Sequence, residues 1–179
     1  MIFKGCGVNI VTPFTDTNEV DFDSLDNLVD TYLKVGSQAI ILGRTTGEFY
    51  AMSDNEILEV IDFVVKKVNK KVPVLAQTGL NDTSRSVILS IRAKALGLDG
   101  LILSAPYYSQ GNELGLISHF KSIAIAGGLP TYIDNDPVRT GLNLAPGLVA
   151  KLAEIPNIVG IIESSSDLNH LADLSPLIN

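Results

Sequence analysis

Residues 39–68 read AIILGRTTGEFYAMSDNEILEVIDFVVKKV and contain one complete structural unit. Ala39–Leu42 is short, apolar and unbroken, the pattern of a strand buried on both faces. Gly43 ends it. A polar loop then leads to Ser53-Asp54-Asn55-Glu56, which has the spacing of a capping box. Beyond that cap Ile57, Leu58, Ile61, Val64, Val65 and Val68 recur at helical spacing along one side. A strand that feeds a helix in this way, repeated along a chain, implies parallel strands joined by right-handed crossovers.

The unit does recur, in both directions. Upstream, a strand over Gly7–Val11 is closed by Thr12-Pro13, and a helix carries Phe22, Leu25, Leu28, Val29, Tyr32 and Leu33 before Gly36 stops it. Downstream, strands are expected over Val72–Gln77, Gly100–Ser104, Thr131–Ile133 and Ile158–Ile162. The intervening helices run from a cap at Asn81 or Asp82 to Leu96, over Leu114–Ala126, and over Pro146–Glu154, with a last one over Leu168–Leu174. No Pro-, Gly- or Ser-rich linker interrupts the series, so residues 1–179 are expected to form a single domain. A doubly wound sheet often carries a glycine-rich phosphate loop after its first strand, and VTPFTDTNEV is not one. The regular unit fits a (β/α)8 TIM barrel better, although a full barrel typically takes about 250 residues. The expected fold is therefore α/β: an incomplete barrel of about six βα units with parallel strands.

The bulk composition fits such a domain. Of 179 residues 46% are hydrophobic and 18% charged, enough for a sizeable core. The net charge of -7 disfavours a nucleic-acid partner. Lys66-Lys67 and Lys70-Lys71 read as the solvated end of a helix. The single cysteine, Cys6, excludes an internal disulfide or a cysteine metal site, and its apolar setting reads as a small core residue in a reducing cytoplasm. No signal-peptide pattern and no apolar run of membrane-spanning length are present, so a soluble cytoplasmic protein is expected.

Three loops after strands carry possible chemistry. GRTTGEF (43–49) sets Thr45 and Thr46 in a glycine-bounded turn, where hydroxyls and backbone N–H groups can hold a carboxylate; the competing reading is an ordinary loop. SAPYYSQ (104–110) offers paired tyrosines, for proton relay or for packing. IDNDPVRTG (133–141) offers Arg139 for a carboxylate. If the strand continues, it also sets Asp134 and Asp136 on one face, where a divalent ion can bind; an acidic turn is the alternative. His119 and His170 fall in helices away from strand ends and read as surface or packing residues. No metal-ligand spacing is recognisable and no cofactor is expected.

Taken in order, GVNIVTPF, GRTTGEF, APYY, LPTYIDNDPVRTG and NIVGIIES resemble the dihydrodipicolinate synthase / N-acetylneuraminate lyase family of (β/α)8 barrels, the synthase branch in particular. The resemblance covers essentially the whole chain and the first three-fifths or so of a full-length member, which implies a C-terminally incomplete barrel. It also implies a pyruvate-dependent Schiff-base reaction of lysine biosynthesis. In that family a lysine on the sixth strand forms an imine with pyruvate, and a tyrosine on the fifth moves the protons. Thr45 and Thr46 match the carboxylate and relay threonines. Tyr108 matches a relay tyrosine that reaches across a subunit interface, Arg139 the substrate-carboxylate arginine, and Glu163 the acid after the lysine.

Two positions depart from the pattern. Asp134 stands where the family has its catalytic tyrosine, and Ile162 stands where it has the lysine. Arg44 replaces the first glycine of GTTGE and can crowd the pyruvate pocket. The expectation is a family member inactive or impaired in Schiff-base turnover. The alternatives are a non-catalytic 2-oxo-acid-binding or regulatory protein, and metal-dependent pyruvate enolisation at Asp134 and Asp136. Expected partners are a small 2-oxo acid such as pyruvate, and a second copy or complementary fragment that covers open strand edges.

Overall fold

The computed structural model describes residues 2–178. Among them six parallel strands alternate with seven α-helices, the βα repeats of an incomplete (β/α)8 barrel. The chain forms two compact units. One runs up to Gln77 and includes Arg92–Gly100; the other comprises Thr78–Ile91 and the residues from Leu101 onward.

The first unit holds β1 (Gly7–Asn9), α1 (Phe22–Lys34), β2 (Ala39–Leu42), α2 (Asp54–Val68) and β3 (Val74–Gln77). Its strands pair in parallel, with Gly7 opposite Ala39 and Ile40 opposite Val74. Leu25 and Val29 of α1 and Ile57, Ile61, Val64 and Val68 of α2 are fully buried, so each helix presents one apolar stripe to the strands. Each such side chain contributes about 1.5–3 kcal/mol through burial. The capping box at Ser53 is closed: the Glu56 carboxylate accepts from Ser53 N at 2.8 Å, and Ser53 Oγ accepts from Glu56 N at 3.3 Å. β3 starts later than the apolar run suggests. Pro73 has no N–H to give, although its carbonyl accepts from Ile40 N at 3.0 Å.

The second unit carries most of β4 (Gly100–Ser104), then α4 (Glu113–Gly127), β5 (Thr131–Asn135) and the short α5 (Pro137–Thr140). α6 (Pro146–Ala153), β6 (Ile158–Glu163) and α7 (Leu168–Leu174) complete it. α3 (Thr83–Ala95) contributes residues to both units. β5 outlasts its expected end by two residues, because Asp134 and Asn135 still pair with Ile162 and Glu163 of β6.

Two expectations need correction. Cys6 is exposed rather than a core residue, since β1 begins only at Gly7 and the Cys6 N–H donates to Gln38 Oε1 at 2.6 Å. Lys67 is not merely solvated: its Nζ bridges Asp26 and Asp30 of α1 at 2.7 and 2.8 Å. Among the described residues no helix is long and apolar enough to cross a membrane.

Candidate active site

In the first unit the loop after β2 turns on its glycines. Gly43 and Arg44 both adopt left-handed backbone, at φ 83° and 54°. A Cβ on Gly43 would lie 2.4 Å from the Phe49 ring, and one on Gly47 would lie 2.7 Å from Gly43 N. The turn is closed by Gly47 N donating to Gly43 O at 2.8 Å, and Thr12 Oγ1 donates to Gly47 O at 2.7 Å. Asn9, at the end of β1, supports it from below. With its amide oriented to satisfy both ends, Nδ2 donates to Ile41 O and Gly43 O at 3.2 Å, and Oδ1 accepts from Thr46 Oγ1 at 3.1 Å. Thr45 and Thr46 are both exposed on this braced turn. Asn9 and Thr12 were not singled out by sequence; their partners lie more than 30 residues away in the chain.

In the second unit the register sets a row across three strand ends. Ser104 of β4 is opposite Asp134 of β5, which is opposite Ile162 of β6. In-register neighbours share a sheet face, so hydroxyl, carboxylate and alkyl group stand side by side. Ser104 Oγ donates to Asp134 Oδ2 at 3.3 Å, and Asp134 is 2% exposed. Ile162 is half-buried. Among the described residues every lysine lies on a helix or in the segments before β1 and β3, away from the carboxyl end of any strand.

The opposite face of the same two strands carries a polar cluster. Asn135 is fully buried, and its Nδ2 donates to Glu163 at 2.9 and 3.1 Å and to Asn143 Oδ1 at 2.8 Å. Its Oδ1 accepts from Leu144 N at 3.0 Å. Glu163 Oε1 also accepts from Ser165 N at 2.7 Å. Burial works against the charged form of Glu163, but the hydrogen bonds from Asn135 and Ser165 and the nearby His170 outweigh it and hold its pKa below the ordinary value. His170 is therefore not remote from the strand ends, as its helix suggested. Its Nε2 donates to Leu144 O at 2.8 Å, and its Nδ1 lies 3.1 Å from Glu163 Oε2. His119 does behave as a packing residue: it is buried in α4 with Nδ1 2.8 Å from Thr83 Oγ1, and burial pushes its pKa down to about 4.

Asp136 does not share a face with Asp134. It lies beyond β5 as the cap of α5, where its carbonyl accepts from Thr140 N at 2.9 Å. Among the described residues no group of three or more His, Cys, Asp or Glu side chains is placed to hold a metal ion. Arg139 is exposed on α5. Tyr108 is 96% exposed at φ 71°, its ring projecting from a left-handed turn.

Residues 2–179 match the dihydrodipicolinate synthetase family. The 4-hydroxy-tetrahydrodipicolinate synthase of Caldicellulosiruptor bescii is 44% identical over 176 residues, which are 98% of this chain and 60% of that protein. The crystal structure of a dihydrodipicolinate synthase from Bacillus anthracis superposes with a TM-score of 0.95 at 34% identity, over 100% of this chain and 62% of that one. A chloride-inhibited dihydrodipicolinate synthase from Acinetobacter baumannii, solved in complex with pyruvate, gives a TM-score of 0.93 at 37% identity over 99% of this chain and 62% of that one. The chain thus spans about three-fifths of the length of the curated relatives it matches.

Proposed function

The chain belongs to the dihydrodipicolinate synthetase family, and on that premise we propose that it recognises a 2-oxo acid such as pyruvate without the imine chemistry of a dihydrodipicolinate synthase. The observation that carries this reading is the pairing of Asp134 with Ile162 at the ends of β5 and β6. Imine formation needs a neutral primary amine to attack the keto carbon and expel water. Ile162 has no nitrogen. The enamine that follows an imine needs a group to take and return a proton at the methyl carbon. Asp134 stands where the family has a phenol for that work. It is shorter than a tyrosine, buried, and hydrogen-bonded by Ser104.

Recognition rests on what is retained. Thr45 and Thr46 sit exposed on a turn braced by Asn9 and Thr12. Two exposed hydroxyls beside backbone N–H groups suit a carboxylate. By the family pattern Arg139 holds the carboxylate of a second substrate, and it is exposed on α5, where a guanidinium can make a bidentate contact. The pyruvate complex of the A. baumannii synthase supports pyruvate as the first ligand to try. Because the chain spans three-fifths of its relatives, the lysine-biosynthetic role, a cytoplasmic location and self-association through exposed side chains such as Tyr108 belong to the same proposal.

Calorimetric titration with pyruvate tests the recognition half. Weak binding, with Kd in the millimolar range, is expected in the parent protein and absent from Thr45→Val/Thr46→Val. No heat from the parent at tens of millimolar ligand, or equal binding by the double variant, would overturn it.

A further inference from the structure

We propose that His170 and Glu163 form a proton-dependent clamp that docks α7 against the end of β6, engaged when the imidazole carries both of its protons. Each ring nitrogen faces an acceptor. Nε2 lies 2.8 Å from the Leu144 carbonyl, and a carbonyl only accepts, so Nε2 carries hydrogen. Nδ1 lies 3.1 Å from Glu163 Oε2, on a carboxylate that already accepts from Asn135 and Ser165. A lone pair on Nδ1 would face that negative charge and be repelled. A proton there makes a charge-assisted pair inside a site where both side chains are almost wholly buried, 5% and 9% exposed. Nδ1 is within reach of the oxygen but not aligned with it for a hydrogen bond, so closure takes a proton and a small turn of the ring.

Few buried side chains hold this helix besides His170. α7 has seven residues, too few to be stable alone. Only His170 and Leu174 of its side chains are buried, whereas Leu168 and Leu171 are 79% and 43% exposed. It is reached through a serine loop in which Ser166 sits at φ 62°, a backbone state costly for a residue with a side chain.

Among the described residues, the hydrogen-bond partners of the pair are neutral groups. β5 contributes the neutral amide of Asn135, and the segment before α6 contributes the Asn143 amide and the Leu144 carbonyl. On α6, Lys151 is engaged with Glu113, and Glu154, which caps its carboxyl end, is exposed. On α7, Asp167 caps the helix through Asn169 N at 2.9 Å and Asp173 is exposed. Glu163 is held in its charged form by Asn135 and Ser165, so the proton on Nδ1 decides whether the clamp is closed. The clamp holds while Nδ1 carries its proton and releases when that proton is lost. It lies on the strand face opposite Ile162, so it stands independently of the functional reading.

The test is ring-nitrogen NMR of 15N-histidine in the full chain from pH 5 to 8, with amide exchange of α7 corrected for intrinsic rates. His119, neutral down to about pH 4, is the internal reference. His170 should show two protonated nitrogens wherever α7 is protected, with α7 exchange rising tenfold or more in step with any loss of the Nδ1 proton. Glu163→Gln should abolish that coupling. A neutral His170 throughout, or α7 protection indifferent to its titration, would overturn the clamp in the unmodified protein alone.

Discussion

Ile162→Lys returns an amine to the end of β6, and the sheet register indicates how little that should achieve. Ile162 and Asp134 are direct neighbours in parallel strands, so an ammonium at 162 stands beside a buried carboxylate. At about 5 Å and an effective dielectric constant of about 20, their attraction is about 3 kcal/mol. That raises the amine pKa by about two units, each unit being 1.36 kcal/mol. An ordinary lysine, near 10.4, is only about 0.4% neutral at pH 8, and two further units cut that another 100-fold. Because only the neutral amine attacks a carbonyl, the single variant should trap pyruvate roughly 100-fold more slowly than Ile162→Lys/Asp134→Asn. The assay is the rate of pyruvate–borohydride adduct formation at pH 8, followed by intact mass. Equal rates in the two variants would refute the electrostatic argument and the neighbour relation on which it rests.

Asn135→Ala should cost about 3 kcal/mol, because it strips a charge-assisted bond from Glu163 and leaves the buried Leu144 N–H without its acceptor. A thermal melt should show a loss of roughly 6–12 °C, and an unchanged Tm would remove the cluster from the stability account. His119 gives the chain an acid sensitivity. With a folded pKa of about 4 against an ordinary 6.5, the unfolded state takes up the proton first, so stability falls as pH drops below 6.5 and levels off near 4. The full effect is about 3 kcal/mol; denaturant melts from pH 7 to 4 should show it, and His119→Gln should flatten that limb.

The fold was legible because its strands and helices announce themselves locally. β3 and β4 are buried along their whole length and β2 in all but Ile41, and their apolar runs say so without knowledge of a neighbour. The capping box at Ser53 is likewise a four-residue signal. What escaped depends on partners distant in sequence. Asp134 and Asn135 look like the start of a loop until β6 pairs with them. Asn9 reads as an incidental polar residue until the loop after β2 folds over it. His170 reads as a surface or packing residue away from the strand ends, yet it meets a carbonyl 26 positions earlier in the chain. Lys67 finds its two carboxylates on another helix. Of the candidate site, the residue identities were readable and the departures at 134 and 162 were plain, but the bracing of the threonine turn and the cluster behind β6 needed the assembled strands.

With Ile162 in place of the lysine, no amine of this chain is expected to form an imine with a 2-oxo acid. Intact-mass measurement after incubation with pyruvate and borohydride addresses it directly, because reduction makes any imine permanent. An unchanged mass is expected, while a dihydrodipicolinate synthase treated in parallel gains the reduced pyruvyl group. A stoichiometric adduct on this chain, mapped by peptide digestion to any one lysine, would contradict it.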